Sequence, residues 1–359
     1  VTARLATLFL VALCAGACAQ EVAAIGSGGP PRMRGMTLPL HSDKPDFDYG
    51  PLLRELPELG VTHVCVMVKI FQTNGKSASP GRLLQYTPSD LTVLRTLAQA
   101  RRLGLEVVLM PFLLLQHAAK DEWRGNLQPP DWGVWFRGYQ RELKHFARLA
   151  EQAQAKVLVV GSELSSTEGH VRRDASEDPE AACPDDCTPC ELREHWLETI
   201  AQARRIFSGQ LTYAANWDHY QAIPFWTELD YVGLSAYYEL TKTPDPTLES
   251  VLASWRRVRG ELITWRAQRE LAQPLLILEV GYTSQDRTLS HPWKYTLNTQ
   301  VDLQEQALGY EAFARCWRGQ PALAGSFFYE WWGEGGPEDN GYTPRGKPAL
   351  DVLRRFYRR

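Results

Sequence analysis

The sequence predicts a single (β/α)8 TIM barrel, a closed ring of eight parallel strands with a helix after each. Three observations lead there. From residue 32 to the end, a short β-rich run, a loop and a helical pattern recur eight times with no break in composition. Several runs are almost continuously aliphatic, as strands covered on both faces must be. The first run, with its continuation GMTLPLHSD, lacks the glycine-rich phosphate turn of a doubly wound open sheet. One domain of this kind fits a chain of 359 residues.

The expected strands are 33–38, 62–70, 105–112 and 156–162, then 210–215, 230–237, 274–281 and 323–331. In the second unit, Thr87-Pro88-Ser89-Asp90 reads as a helix start with Thr87 as cap and Pro88 in the first turn. Leu91, Leu94, Leu97 and Ala98 follow on one face, and Gly104 closes the helix. In the third unit Asp131 precedes Trp132, Trp135, Tyr139, Leu143, Phe146 and Ala150 at helical spacing. Further helices are expected over 190–207, 247–270, 299–318 and 346–357, with only a short one between strands five and six.

The first residues stand apart. Arg4, the apolar run Leu5–Leu13 and the small residues Ala15, Gly16, Ala17 and Ala19 form a secretory pattern too short to span a membrane. Residues 1–19 are therefore expected to be a signal for export to a periplasmic or extracellular space. Its end reads either as a lipoprotein site, with Cys18 lipidated, or as an ordinary Ala17-Cys18-Ala19 site with cleavage before Gln20. A lipid on Cys18 would be the only contact with a membrane. Residues 20–31 read as a flexible tether, and 32–359 as the barrel.

An oxidising compartment suggests a local disulfide within Cys183, Cys187 and Cys190, on an insertion at about 170–190. Those thiols with His195 are the alternative, a metal site; the disulfide is preferred and no metal is expected. Cys65 and Cys316 sit in apolar patterns and read as buried. A formal net charge of −3 with interspersed signs offers no face for phosphates, which excludes nucleic acid as a partner.

Barrels of this type place their chemistry at the carboxyl ends of the strands. Strand four, KVLVVGSE, ends at Glu163, and strand seven, PLLILEVGY, carries Glu279. A carboxylate after a run of buried aliphatics is costly to desolvate, so two at facing strand ends point to function. Two such carboxyls around one pocket are what glycoside hydrolysis requires, one as acid/base and the other as nucleophile or base. Asn216, Trp217 and Asp218 after strand five, Tyr237 and Tyr238 after strand six, and Trp331 and Trp332 after strand eight are candidate sugar contacts. Alternation turns Glu330 away from the lumen if Trp331 faces in, and Glu239 is a further acid nearby. Twelve tryptophans supply flat faces that suit sugars and core packing alike. No G-x-S-x-G elbow or metal-ligand spacing occurs, and Lys69 at the end of strand two lacks the phosphate signature of a Schiff-base enzyme.

Glu163 after a strand-four Gly-Ser, Asn216-Trp217-Asp218, LDYVGLSAYY, LLILEVGY and the closing GGPEDNGYTPRGKPAL resemble glycoside hydrolase family 113. The resemblance runs from about residue 33 to 358. It implies a retaining β-glycosidase, β-1,4-mannan being the family's characterised substrate, with Glu163 as acid/base and Glu279 as nucleophile. It also implies that Tyr237 or Tyr238 orients the nucleophile and that Trp331 floors the subsite of the cleaved sugar. No cofactor is implied, and a monomer acting on a polysaccharide or oligosaccharide is expected. Two departures bear on the substrate. Ser162 stands where many members of the clan carry an asparagine that binds the sugar 2-hydroxyl. Met110-Pro111-Phe112 stands where mannanase-like members are expected to read Lys-Pro-His, removing a cation and an imidazole from the pocket wall. The alternative is a glycan-binding lipoprotein of the cell envelope that keeps the barrel without catalysis.

Overall fold

The computed structural model describes residues 32–44, 46–168, 188–297 and 299–358. The expected signal and tether, and Cys183 and Cys187, lie outside these residues, as does the side chain of Cys190. Eight parallel strands close on themselves in chain order. They are β1 (Met33–Pro39), β2 (His63–Gln72), β3 (Glu106–Leu115), β4 (Val157–Ser162), β5 (Gln210–Asn216), β6 (Val232–Ser235), β7 (Leu275–Val280) and β8 (Leu323–Phe328). The surrounding helices are α1 (Gly50–Glu55), α2 (Asp90–Arg102), α3 (Trp132–Gln152), α4 (Thr188–Arg204), α5 (Leu248–Gln268), α6 (Leu303–Trp317) and α7 (Pro348–Tyr357). Between β5 and β6 the chain makes only two 3-10 turns, Tyr220–Ala222 and Trp226–Glu228. No helix among the described residues is long and apolar enough to cross a membrane.

Helix boundaries follow local chemistry. Asp131 caps α3 by accepting from Val134 N at 2.8 Å. At α2 the cap is Ser89, which accepts from Thr92 N, so Thr87 and Pro88 precede the helix. Thr87 instead donates its hydroxyl to the Lys69 carbonyl at 3.0 Å. The buried face of α2 is Thr92, Val93, Thr96, Leu97 and Ala100, and Leu91 is exposed. Counting only leucines and Ala98 misplaced that face because two threonines serve as core residues, Thr96 donating back to the Thr92 carbonyl.

Two cores result. The lumen is filled by Met33, Cys65, Met67, Val108, Met110, Phe112, Val157, Val159, Leu276, Leu278 and Phe327, among others. The outer core joins the backs of the strands to the helices, with Trp135, Trp196, Trp255 and Trp317 fully buried. Cys65 and Cys316 are buried and free. His195 stacks on Phe136 at 4.8 Å. Gly35 is required by the filling: a Cβ there would lie 2.3 Å from the Phe327 ring, which crosses the lumen.

Candidate active site

Both carboxylates reach the mouth because their strands depart from regular alternation. On β7, Leu276 and Leu278 face the lumen while Val280 packs in the outer core. Strict alternation would send Glu279 outwards with Ile277. A register shift between Ile277 and Val280 breaks the pleat and turns Glu279 inwards. On β4 a shift falls between Val159 and Ser162. A Cβ on Gly161 would meet Tyr213 and Trp196 of the outer core, and Glu163 then adopts φ +52°, a left-handed conformation costly for a side chain of its size. Both residues are buried: Glu163 is 5% and Glu279 3% exposed.

Each carboxyl has one dedicated partner. The Tyr237 hydroxyl donates to Glu279 Oε2 at 2.9 Å. Glu279 Oε1 is buried and has no hydrogen-bond partner among the described residues. Arg124 Nη2 pairs with Glu163 Oε2. Burial is the first cause that raises the Glu279 carboxyl, to about 8, and the negative charge of Glu163 is the second. Arg124 and the Tyr237 hydroxyl oppose it. Burial and a neighbouring carboxylate both favour the protonated form of Glu279.

Tyrosines form the wall behind Glu279. Tyr237 packs against Tyr342 with ring centroids 6.2 Å apart, and Tyr342 against Tyr329 at 5.2 Å. The hydroxyls of Tyr237, Tyr329 and Tyr342 all lie in the field of Glu279. Gly281 permits the arrangement, since a Cβ there would lie 2.4 Å from the Tyr329 carbonyl oxygen. Of the two adjacent tyrosines the resemblance offered, Tyr237 holds the carboxylate. Tyr238 points into the outer core against Trp217 and Trp255.

Strand eight requires a correction. It ends at Phe328, three residues short of the predicted end, so alternation does not extend to Trp331. Trp331 is 2% exposed, packs in the outer core and donates its Nε1 to the Leu52 carbonyl at 3.1 Å. It does not floor the pocket. Tyr329, packed on the lumen cluster, takes that side of the site. With Trp331 turned outwards the condition that would send Glu330 away from the lumen does not hold, and Glu330 stays at the mouth, 3.5 Å from His41 Nε2 and within the field of Glu279. Trp332 sits at the β1 side in a group with His41, Phe47 and Tyr49. Glu239 is exposed.

After β5, Asn216 accepts from Trp217 N at 3.1 Å, and Asp218 pairs with His219 at 2.7 Å. Trp217 stacks on Trp293 at 5.8 Å, the two rings forming an aromatic ledge. Ser162 Oγ is buried without a hydrogen-bond partner. Phe112 lines the lumen as its strand position requires, and the cation absent from strand three arrives from the following loop: the Arg124 guanidinium lies 4.1 Å above the Phe112 ring. Sequence reading missed Arg124, Tyr329, Tyr342 and His41: Arg124 and Tyr342 lie on loops well beyond a strand end, and Tyr329 and His41 follow their strands without a carboxylate to mark them. One trio of carboxylates among the described residues, Asp286, Asp302 and Glu305, is close enough to share an ion. Glu305 already accepts from Arg287 N and Leu289 N there, which is a loop-tying role.

The family model of glycoside hydrolase family 113 matches residues 50–175 and 182–347. The chain belongs to glycoside hydrolase family 113. It is accordingly a glycoside hydrolase on a (β/α)8 barrel. Among solved structures, a family 113 β-mannanase from Alicyclobacillus acidocaldarius is 26% identical, with a TM-score of 0.74 over 92% of this chain and 98% of that one. Another family 113 β-1,4-mannanase is 22% identical, with a TM-score of 0.76 over 91% and 99%. A family 5 enzyme variant from Streptomyces cattleya, in complex with Manβ1-4GlcNAc, shares the fold at 15% identity, with a TM-score of 0.57 over 91% and 80%. The comparison with curated proteins finds no match.

Proposed function

We propose that this family 113 hydrolase cleaves a β-1,4-mannan-type glycan with retention, Glu279 being the nucleophile and Glu163 the acid/base. The observation that carries the reading is the asymmetry of Glu279. One oxygen is held by Tyr237 while the other is buried and unpartnered, an oxygen oriented to attack. Glu279 Oε1 bonds to the anomeric carbon as the bond to the leaving oxygen breaks, and Glu163 gives that oxygen its proton. The glycosyl–Glu279 ester is then opened by water, whose proton returns to Glu163.

Glu279→Gln is expected to abolish release of reducing ends from β-mannan while circular dichroism and melting remain those of a folded protein. Undiminished turnover would remove Glu279 from the mechanism. Glu163→Ala is expected to slow poor leaving groups most, with azide restoring part of the rate. The alternative of a binding protein without catalysis rests on the Ser162 and Phe112 departures, and the presence of both carboxyls and of the Tyr237 bond counts against it. For residues 1–19 the export reading rests on the apolar run and its small-residue end. Mass analysis of the mature amino terminus distinguishes a lipidated Cys18 from cleavage before Gln20.

A further inference from the structure

Arg124 holds a place that the mechanism does not use. It lies in a 3-10 turn, Arg124–Asn126, on the loop between β3 and α3. That turn is built rather than draped. Asn126 Oδ1 accepts from Trp123 N and its Nδ2 donates to the Asp121 carbonyl, both at 2.9 Å. Glu122 ties the preceding residues down, accepting from Gly75 N and Ala119 N at 2.9 Å each. The Trp123 ring covers Gly125, where a Cβ would lie 2.1 Å from it. The guanidinium is thereby set on the Phe112 ring, 82% buried, with Nη2 on Glu163 and a buried Nε that has no partner.

This pair cannot persist through the reaction. A general acid reaches its substrate carrying a proton, and a carboxyl that carries a proton no longer forms an ion pair. Arg124 would then keep only the field of Glu279 and the Phe112 ring beside it, and its hydrogen-bond donors would be open to an anion arriving with the substrate. A second cation lies alongside. Lys69 on β2 is in register with Phe112 on β3 and shares the parity of the lumen residues Cys65 and Met67. Its ammonium is half-buried and makes no hydrogen bond among the described residues. The negative groups facing it are Asp43 and Glu330, and neither forms an ion pair with it.

We infer that Arg124, supported by Lys69, is a subsite for the carboxylate of a uronic acid residue next to the scissile bond of a β-linked glycan. The inference rests on the glycosidase reading and narrows its substrate class to acidic glycans. A guanidinium fork matches a carboxylate with two parallel hydrogen bonds, which sugar hydroxyls do not reproduce. Engagement of the substrate carboxylate frees Glu163 from Arg124, so an acidic substrate completes the acid/base group as it binds. The remaining acidic groups around Glu163 are Glu279 across the pocket and Glu168 on its own loop, with the Tyr237 and Tyr342 hydroxyls neutral.

The test is a pair of β-1,4-linked tetrasaccharides that differ only at C6, mannose and mannuronate. Calorimetry on Glu279→Gln is expected to show the mannuronate binding at least about tenfold tighter at low salt, with the advantage reduced at about 0.5 M NaCl. Arg124→Met keeps the apolar stem on Phe112 and is expected to erase the difference by weakening mannuronate binding; Lys69→Met is expected to erode it in part. Equal affinities in the parent, or a preference that survives Arg124→Met, would overturn the subsite. Turnover assays with the unsubstituted protein separate the two readings. Mannotetraose cleaved with no preference for mannuronate leaves the glycosidase standing and removes the subsite. Tight mannuronate binding with no cleavage of either compound removes the catalytic reading and leaves the subsite.

Discussion

Replacing Tyr237 by phenylalanine tests the proposed nucleophile without touching it. The substitution removes one oxygen from a buried position and leaves the ring against Tyr342. What disappears is a 2.9 Å hydrogen bond to a carboxylate inside the barrel, a class of bond worth ~1.5–3 kcal/mol. If Glu279 must be held for attack, that energy converts at ~1.4 kcal/mol per decade to a loss of roughly 10- to 150-fold in kcat/KM. The pH profile adds a directional check. The hydroxyl lowers the Glu279 carboxyl against burial and the charge of Glu163. Without it the proton binds more readily, so the acidic limb, which reports ionised nucleophile, moves to higher pH. A β-glycoside with a good leaving group is the substrate of choice, because its cleavage needs little help from Glu163. An unchanged rate with an unmoved acidic limb, in a variant that melts like the parent, would refute the assignment of Glu279 and of Tyr237 as its positioning residue.

Three further expectations follow from packing and charge. Burial pushes the Glu168 carboxyl up to about 8, against the hydrogen bond from Tyr213. Between its unfolded value of about 4.3 and that value, the native protein retains a proton the unfolded chain has lost, so this contribution to stability is greatest at low pH and declines as pH rises. Glu168→Gln should flatten the fall in melting temperature between about pH 5 and 8; parallel curves for the two proteins would contradict it. Trp135→Ala removes a fully buried ring stacked on Tyr139 at 5.1 Å and a bond from its Nε1 to Gln72, and should cost ~3–5 kcal/mol in denaturant unfolding. Trp331→Phe should lower stability by ~1–3 kcal/mol through loss of the Leu52 bond and packing, with kcat/KM changed less than about threefold. A large rise in KM instead would return Trp331 to the sugar-binding surface.

The order of strands, the barrel and the two carboxylates were legible in the chain because each rests on local pattern. Aliphatic runs of strand length must be buried on both sides, and a glutamate ending such a run is conspicuous against them. The short link after β5 and the Asp131 cap were readable for the same reason. What the tertiary structure alone decided is where side chains point once regular alternation stops. Glu279 faces the lumen only because β7 shifts register, and Trp331 leaves it because β8 ends at Phe328. Arg124 meets Glu163 across 39 residues of sequence, from a turn whose position is set by Glu122 and Asn126. Periodicity describes a strand's two faces, but it carries no information about a bulge or about a loop that folds back over the mouth. Those depend on contacts between distant segments, and in this barrel they determine which carboxylate oxygen is left unpartnered and which cation stands beside Glu163.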